Sequence, residues 1–401
     1  MTKEILTEQA FAEIIARNGG RAFRVGGCIR DYFMGVIPKD IDFSVVGMVK
    51  KNFKLLFPKA EECGKKFPVF RLEIDGIKRE VAFARTERKE GMGYKGFKVS
   101  TKPTITIEED LFRRDTTVNS MAQDSLTGEI IDPFHGKEDI SAGILRATSS
   151  HFSDDPIRVL RLAGQAARFG FAIDPATLLL AIAAGEELVH EPVERMAAEM
   201  TKVLAEAPEP GRFFRVLSEV HVLHVIFKEI AALTAPDFEK LMEGLNAVAK
   251  ATSNPKLRFA VFGLGLDSEK LALWNQRMTL PGNWLESADT VSRMIHFLAQ
   301  PTPEILVAAI TKLQRGSLGI EEFDLIIKAA GVNIPELGPL KAVMALSPGE
   351  AVPGTLKGRH IGEWLRNKQV QAVQERWQPG KPSQVHSQKK EFCNVMEKNE
   401  E

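Results

Sequence analysis

Cysteine is scarce in this sequence, and its spacing excludes two classes of site. The 401 residues contain three cysteines, Cys28, Cys63 and Cys393. No two of them form a C-x-x-C pair, so neither a zinc site nor a disulfide framework is indicated. A chain with free thiols fits a reducing compartment, and we expect a cytoplasmic protein.

Long hydrophobic runs are also missing. No stretch of about 18 apolar residues occurs, so no transmembrane helix and no membrane partner are expected. The first nine residues lack the basic and then apolar layout of a signal peptide.

The chain carries no excess of charge, with 53 basic and 53 acidic residues. This balance excludes a protein coated in basic charge but allows a local basic surface. Apolar residues make up 44% of the sequence, enough to bury a large core. The length predicts two to four domains.

The first 145 residues alternate between helical and strand patterns. Residues 7–18 predict an amphipathic helix with Thr7 as its N-cap. Asp75-Gly76 predicts a hairpin turn between two strands. Strands are expected at 22–26, 41–46, 68–75, 78–84 and 129–132. This part of the chain therefore predicts a mixed or mostly antiparallel sheet.

After residue 145 the pattern becomes helical throughout. Helices are expected at 156–204, 212–225, 235–250, 256–274, 283–299, 303–313, 321–330 and 358–376. No internal repeat is found, and the polar end from Pro379 predicts a loose tail. The fold class is thus α+β, a mixed-sheet head followed by an all-α part.

One segment combines features that suit phosphate chemistry. Gly26-Gly27 ends an apolar run, and Arg30 follows on a predicted helix. Asp40 and Asp42 then open a second strand, on which residues i and i+2 share a face. Paired carboxylates favour hard divalent cations, and glycines allow the backbone to approach a phosphate. Each feature alone is also typical of a plain turn or a solvated strand end.

Two further segments carry candidate site residues. Glu80 is either a third carboxylate beside the aspartates or an exposed strand charge. Arg114, Asp115 and Asn119 suit a triphosphate and a ribose, although the segment is also compatible with an exposed helix start.

A third segment predicts a helix capped by Ser153 or Asp154. Asp155 precedes the helix, and Arg158 and Arg161 share one face of it. The alternative is an acidic helix start followed by a solvated basic face.

These segments resemble, in order, the motifs of class II tRNA nucleotidyltransferases. They read VGGCIRDYFMG with KDIDF, EEDLFRRDTTVNSMA, DPFHGKEDI, FSDDPIRVLRLAGQAARFGF and ERMAAEMTKVL. The family comprises bacterial CCA-adding enzymes and related poly(A) polymerases. The resemblance implies a nucleotidyltransferase head at 1–145, a neck at 146–210, a helical body at 211–330 and a tRNA-binding tail at 331–401.

The resemblance also implies roles for the candidate residues. Asp40 and Asp42 match the metal-binding aspartates, and Glu80 is kept with them as a catalytic candidate. Gly27 and Arg30 match positions that contact the triphosphate, and Arg114 and Asp115 match the motif that holds the triphosphate and ribose. Asn119 is kept with them as a nucleotide-binding candidate. Asp155 and Arg158 match the pair that reads the base, and Arg161 matches a further nucleotide contact.

This chain departs from the family pattern at several positions. The acidic pair is Asp154-Asp155 in place of Glu-Asp. Gly164 and Gln165 stand where many relatives carry Arg and Phe, and Thr116-Thr117-Val118 stands for Phe-Thr-Ile. These changes affect fine nucleotide contacts. Gly263-Leu264-Gly265 stands where some relatives carry the His-Asp of a phosphohydrolase domain, so the body predicts a degenerate form of that domain.

The implied reaction is attack of a tRNA 3′-hydroxyl on CTP or ATP with Mg²⁺ as cofactor and release of pyrophosphate. CCA addition is favoured because residues 63–70 and the short tail differ from poly(A) polymerases of this family. Alternatives are poly(A) synthesis, addition of only part of CCA, and a non-catalytic RNA-binding protein on the same fold. The glycine-containing segment 86–98 is either an ordinary surface loop or a flexible loop that admits ATP after CTP. The sequence leaves the oligomeric state open.

Overall fold

The computed structural model describes residues 5–63, 69–91, 96–345 and 351–377. The chain divides into two compact units. One comprises Met1–Val203 with Arg212–Ile226, and the other comprises Leu204–Gly211 with Phe227–Glu401. The finer division into head, neck, body and tail stays a prediction.

All described strands lie in the first unit. They are β1 (Arg21–Val25), β2 (Asp42–Val46), β3 (Glu61–Cys63), β4 (Val69–Ile74), β5 (Ile77–Phe83), β6 (Thr86–Lys89), β7 (Phe97–Ser100), β8 (Ala122–Asp124), β9 (Ile130–Ile131), β10 (Ile144–Leu145) and β11 (Ala172–Ile173).

Helices occur throughout the chain, and they make up most of the regular structure that follows the main sheet. Up to residue 226 they are α1 (Glu8–Arg17), α2 (Gly27–Phe33), α3 (Lys50–Leu56), α4 (Ile107–Phe112), α5 (Gly136–Ala142), α6 (Ile157–Phe169), α7 (Pro175–Gly185), α8 (Val193–Glu206), α9 (Gly211–Glu219) and α10 (Leu223–Ile226). The later helices are α11 (Lys228–Ala231), α12 (Ala235–Ala251), α13 (Pro255–Ala260), α14 (Ser268–Arg277), α15 (Gly282–Phe297), α16 (Pro303–Leu313), α17 (Ile320–Ala329), α18 (Gly338–Val343) and α19 (Arg359–Arg376). The predicted α+β fold class is confirmed.

Seven strands form the main sheet in the order β3-β4-β5-β2-β1-β8-β9. Within the described pairings of this sheet, β2 and β5 run parallel and all others antiparallel. The sheet is therefore mixed, as predicted. The parallel pair matters for the site because it places residues of β2 and β5 in direct register.

Apolar side chains cover both faces of the sheet. One face packs against α1 and α3 through a cluster that includes Phe11, Phe43 and Phe53. The other face packs against α4 through Phe23, Ile107 and others. Since both faces are covered, polar groups of the central strands are accessible mainly at the strand ends, where the candidate site lies.

Local signals predicted the early elements well. The Thr7 hydroxyl accepts from the Ala10 N–H at 3.1 Å and caps α1. Asp75 and Gly76 both have positive φ, the conformation that a tight hairpin turn requires. The predicted strand bounds differ from the observed ones by one or two residues.

Two long predicted helices are interrupted. The region 156–204 is divided into α6, α7 and α8, and β11 pairs in parallel with β10 between the first two. The region 256–274 becomes α13, a 3₁₀ turn at Val261–Leu264 and α14. Helical periodicity alone did not reveal these breaks because the flanking segments remain apolar on one side.

The start of α6 also differs from the prediction. Ser149, not Ser153 or Asp154, provides a side-chain cap, and it caps the 3₁₀ turn Ser150–Asp154. Ser153 donates its hydroxyl to the Leu180 carbonyl at 3.2 Å, and Asp154 lies 2.6 Å from His151 Nδ1. Both side chains belong to the 3₁₀ turn that directly precedes α6. Because each is hydrogen bonded there, neither caps α6.

The segment 86–98, expected as a loop, is mostly a two-stranded ribbon. β6 and β7 pair antiparallel from Thr86↔Ser100 to Lys89↔Phe97. Lys89 Nζ bonds both carboxylate oxygens of Glu187 at 2.7 and 2.8 Å. The ribbon is thus tied to the residues that follow α7. Residues 92–95, at its tip, lie outside the described residues.

The second unit is helical and tightly packed around Gly263. A Cβ on Gly263 would lie 2.0 Å from the Ala288 carbonyl oxygen and 2.9 Å from the Ser292 nitrogen, both in α15. The backbone of α15 therefore occupies the space that any side chain at position 263 would need.

The buried Arg258 guanidinium donates to carbonyls of Leu204, Ala207, Ala249 and Thr252. In the described ranges no helix is long and apolar enough to cross a membrane. The predicted tail from Pro379 and most of segment 63–70 lie outside the described residues.

Candidate active site

The glycine pair forms a turn at the end of β1, and Arg114 packs closely against this turn. Gly26 follows Val25 with φ +74°, and its N–H donates to the Met121 carbonyl at 3.0 Å. A Cβ at this position would lie 2.9 Å from Arg114 Nη1. A side chain at residue 26 would therefore be strained and would displace the arginine.

Asp42 is the first residue of β2 and pairs with Val25, so it lies beside this turn. Asp40 lies in irregular backbone before the strand and is exposed. Asp40 is therefore not part of β2, since regular pairing begins at residue 42, and the prediction that the two carboxylates share one face stays a prediction. The two are still close enough for the Asp40 charge to act on Asp42.

Glu80 lies next to Asp42 on the neighbouring strand. Phe43 pairs with Val81 in the parallel β2–β5 ladder, which places Glu80 in register with Asp42 on the same side. Its carboxylate is also 3.5 Å from the Arg71 guanidinium. Both readings of Glu80 therefore retain support: it is half exposed, and it is adjacent to the aspartates.

The electrostatics of Asp42 fit a cation site. Desolvation by surrounding protein raises the pKa of Asp42, Glu80 and Asp40 raise it further, and Arg114 lowers it. A divalent cation would relieve this repulsion, and carboxylate oxygens are the ligands such a cation prefers. Within the described ranges, no three His, Cys, Asp or Glu side chains are grouped closely enough to hold a metal ion by themselves. Substrate oxygens would have to complete the coordination.

Asp110 holds the two arginines that follow α4, a role that the sequence analysis missed. Its carboxylate accepts from Arg113 Nη2 at 2.6 Å and from Arg114 Nη2 at 3.0 Å. It also accepts from the Arg85 backbone N–H at 3.1 Å. Although burial opposes ionisation, the two guanidinium groups lower the pKa of Asp110 to about 2. The sequence signal for this role is the spacing, because Asp110 lies three and four residues before the two arginines, a separation that places side chains together on a helix.

The two arginines differ in how much bonding capacity they retain. Arg113 bonds Asp110, Glu87 and the Arg85 carbonyl, so each of its three guanidinium nitrogens donates a hydrogen bond. Arg114 bonds Asp110 alone, and its buried Nε has no hydrogen-bond partner among the described residues. Arg114 therefore retains donors beside Gly26 and Asp42, where a phosphate would lie.

Asp115 lies at the centre of a second cluster and is buried. Its Oδ2 accepts from Arg161 Nε at 2.9 Å and from Gln165 Nε2 at 3.1 Å, and lies 2.8 Å from Arg161 Nη2 in an ion pair. Its Oδ1 accepts from the Thr116 N–H at 2.8 Å and Asn119 Nδ2 at 3.2 Å. Although burial opposes ionisation, Arg161 and these hydrogen bonds lower the pKa of Asp115 to about 2.

Arg30 joins the same cluster from α2. It donates to Asn119 Oδ1 at 2.5 Å and to Asp31 Oδ1 at 2.6 and 3.0 Å, and its guanidinium lies 4.4 Å from the centre of the Phe169 ring. Arg30 is buried. Gly27 is adjacent, and a Cβ there would lie 3.4 Å from the Arg30 guanidinium. The structure thus places Arg30 inside the protein, supporting the turn.

The predicted base-reading pair lies together: the Arg158 N–H donates to the Asp155 carbonyl at 3.0 Å, while no hydrogen bond joins the two side chains in the described structure. The buried Arg158 donates to the carbonyls of His151 and Arg113, the latter at 2.6 Å. Burial lowers the pKa of Arg158, and Asp155 opposes this effect. The solvated basic face considered from the sequence is therefore wrong for Arg158.

Asp155 retains an acceptor. Its Oδ2 lies 3.3 Å from Arg195 Nη2, whereas its buried Oδ1 has no partner within the described part of the chain. Arg195 also bonds the buried Glu191. The sequence gives no signal for this role of Arg195, because only the packing of α8 brings it to Asp155.

Two family models match this chain. The model described as the poly A polymerase head domain matches residues 22–146. The model described as the probable RNA and SrmB-binding site of polymerase A matches residues 170–234.

Curated relatives match over most of their length. A "CCA-adding enzyme" of Pseudomonas putida (strain W619) is 34% identical in an alignment of 374 positions that covers 88% of this chain and 97% of the relative. A "Multifunctional CCA protein" of Nitrosococcus oceani is 33% identical in an alignment of 403 positions that covers 88% of this chain and 98% of the relative.

Solved structures share the fold. The apo form II of a CCA-adding enzyme aligns with a TM-score of 0.69 at 21% identity, over 98% of this chain and 95% of that one. The Thermotoga maritima CCA-adding enzyme complexed with tRNA aligns with a TM-score of 0.68 at 22% identity, over 92% and 91%.

Proposed function

The chain belongs to the CCA-adding enzyme family, and from this premise we propose that it adds CCA to tRNA 3′ ends without a template. CTP and ATP are the substrates, and pyrophosphate is released. The observation that carries the proposal is the convergence of Asp42, Arg114 and the Gly26 turn at one end of the sheet. We place the activity in the cytoplasm, where tRNA substrates are found.

Asp40 and Asp42 would hold the divalent cation on which the family's reaction depends, which we take to be Mg²⁺. When bound, the metal supplies charge neutralisation at the reacting phosphate. Glu80 would help to hold it, since its charge already acts on Asp42. Arg114 would donate from Nη1, which lies beside Gly26, to the triphosphate, and the exposed Arg161 would add a second contact.

Base choice would rest on Asp155 and Arg158. The free Oδ1 of Asp155 can accept from the exocyclic amine that cytosine and adenine share. Arg158 would donate to the neighbouring ring nitrogen, after releasing one of its backbone carbonyls. Uracil and guanine present a carbonyl and an N–H in these places, so they would leave buried groups unpaired.

Binding of the tRNA backbone would use a basic cleft in the second unit. A cavity of about 460 Å³ lies between α16 and α19, and its lining includes Lys312, Arg315 and Arg366. None of the three forms an ion pair with another residue that the structure describes. A neutral chain that leaves three cations unpaired around one cleft has a local site for phosphates.

The cleft is tested by measuring tRNA affinity in a filter-binding assay at several salt concentrations. Lys312→Glu with Arg366→Glu should weaken binding and reduce the slope of log K against log salt by about 1 to 2. Gly362 also lines the cleft, and a Cβ there would meet nothing within 4 Å, so a larger side chain fits without disturbing the fold. Gly362→Leu should therefore weaken binding by obstructing the cleft, with no change of charge. Lys250→Glu, exposed on α12, is the matched control. Equal effects of Lys250→Glu and the cleft variants would refute this assignment.

The proposed function is tested by incubating the protein with tRNA lacking CCA, Mg²⁺, CTP and ATP, followed by sequencing of the 3′ ends. Complete CCA is expected. Runs of A, addition of C alone or A alone, or no addition would identify the alternatives of poly(A) synthesis, partial addition or RNA binding without catalysis. Asp42→Asn should abolish addition and leave tRNA affinity intact. Glu243→Gln, at an exposed acid on α12 in the second unit, is the control.

A further inference from the structure

The ring of Phe169, the last residue of α6, is shared by two arginines. The Arg30 guanidinium lies 4.4 Å from the centre of the ring, and the Arg168 guanidinium lies 5.2 Å from it. Both distances fall within the roughly 6 Å over which an aromatic face attracts a cation. Arg168 is therefore a close neighbour of Arg30, although the two belong to different helices, α6 and α2.

The direction of the Arg168 side chain follows from this contact. Consecutive residues on a helix do not normally face each other. Arg168 and Phe169 are consecutive on α6, yet the guanidinium of the first lies over the ring of the second. The Arg168 side chain therefore leans toward the side of α6 that meets Arg30.

Arg30 itself lies against the glycine turn of the candidate site. A Cβ at Gly27 would lie 3.4 Å from Arg30 Nη2. The Arg30 guanidinium is buried and already donates to Asp31 and Asn119, whereas Arg168 is half-buried. A phosphate that approaches the turn from solvent therefore meets Arg168 more readily than Arg30.

Arg168 also continues a row of arginines along α6. Arg161 and Arg168 are seven residues apart, which is two helical turns, so they share one face and are separated by about 10 Å along the axis. Arg158, proposed to read the base, precedes them on the same helix. The order along α6 thus matches the order of groups along an extended nucleotide, with the base first and the terminal phosphates last.

We propose that Arg168 binds the terminal phosphates of the incoming nucleotide and the pyrophosphate that leaves, with Phe169 as the residue that positions it. The inference rests on the proposed function. In that reaction a bond forms from the tRNA 3′-oxygen to the α-phosphorus, and the bond from this phosphorus to the bridging oxygen breaks. The bridging oxygen leaves with the electron pair, and the hydroxyl proton passes to water. Negative charge therefore builds up on the pyrophosphate, where a guanidinium stabilises it.

The test is the reverse reaction, in which pyrophosphate removes the terminal nucleotide from a tRNA that ends in CCA. Arg168→Met removes the charge and keeps an unbranched side chain. It should raise the KM for pyrophosphate about tenfold, the effect of losing one charge-assisted contact. In the forward direction the KM values for CTP and ATP should rise by a common factor, because both carry the same phosphates. The KM for tRNA should stay unchanged.

Arg17→Met is the matched control. Arg17 is an exposed arginine on α1, which packs against the other face of the sheet from α4. Its KM for pyrophosphate should equal that of wild type. An unchanged KM for pyrophosphate in Arg168→Met would overturn the proposal. A raised KM for tRNA alone would also overturn it, because Arg168 would then be an RNA contact.

Two further variants keep the test decisive if Arg168→Met does not fold. Arg168→Lys retains the charge but loses the planar guanidinium, and pyrophosphate with Mg²⁺ should raise its Tm less than that of wild type, a readout independent of turnover. Phe169→Leu removes the ring and leaves the charge, so it should raise the KM for pyrophosphate with kcat little changed. Equal Tm shifts, or an effect of Phe169→Leu confined to kcat, would refute the inference.

Failure of this inference and failure of the proposed function give different results. Wild-type protein that neither adds nucleotides to tRNA nor removes them with pyrophosphate would refute the proposed function. Wild-type protein that is active in both directions, with Arg168 variants that match it, would refute the inference alone.

Discussion

The carboxylate of Asp110 should stabilise the head and hold Arg114 for the nucleotide at the same time. Its pKa falls from 3.8 to about 2 in the folded protein. This shift corresponds to about 2 kcal/mol of stability, since one unit is ~1.4 kcal/mol. Because the folded pKa is the lower one, the contribution is complete above pH 3.8 and is lost as the pH falls through 2.

Asp110→Asn removes this charge and leaves an amide against two guanidinium groups. Breaking a buried ion pair on one side costs about 3 to 5 kcal/mol, so the variant should unfold at lower urea concentration at pH 7. The difference from wild type should shrink between pH 4 and pH 2, where wild type loses the same charge. The KM for CTP should also rise, because Arg114 loses its described hydrogen bond.

Urea unfolding followed by circular dichroism at several pH values measures the first effect, and steady-state addition measures the second. Glu108→Gln is the matched control, an exposed acid on the same helix. Equal stability of Asp110→Asn and wild type at pH 7 would refute the electrostatic account. A stability difference that stays constant down to pH 2 would show a packing effect in its place.

Three further predictions concern base choice, the ribbon and the body. Asp155→Ala should raise the use of UTP or GTP relative to CTP and ATP, because it removes the buried free acceptor; unchanged selectivity in competition assays would contradict it. Replacing residues 90–96 by a shorter linker should leave CC addition largely intact and remove terminal A, as read by 3′-end sequencing, whereas an equal loss of both steps would exclude the ribbon as the switch. Gly263→Ala should destabilise the second unit by about 1 to 3 kcal/mol, since its Cβ would overlap the Ala288 carbonyl. The same packing predicts no metal-dependent phosphatase or cyclic phosphodiesterase activity with Ni²⁺, Mn²⁺ or Mg²⁺, and turnover that survives further purification would count against it.

Much of the fold was determined by local sequence signals. The cap at Thr7, the Asp75-Gly76 turn and the change from strand to helix patterns after residue 145 all depend on neighbours in the chain, and each is found in the structure. The order of the glycine, aspartate and arginine motifs was likewise readable, because chemistry of this kind requires particular residue types at particular spacings.

The partners of the site residues were decided by tertiary structure alone. Asp115 and Gln165 are 50 residues apart, and Asp155 and Arg195 are 40 apart. No local pattern reports such pairs, because hydrogen bonding between side chains depends on how α6 and α8 pack against the turn after α4. The parallel pairing that sets Glu80 beside Asp42 is also a long-range choice, fixed by burial of both faces of the sheet. The sequence alone determined which groups the site contains; the packing decided which of them remain accessible to a nucleotide and which are buried to hold the others.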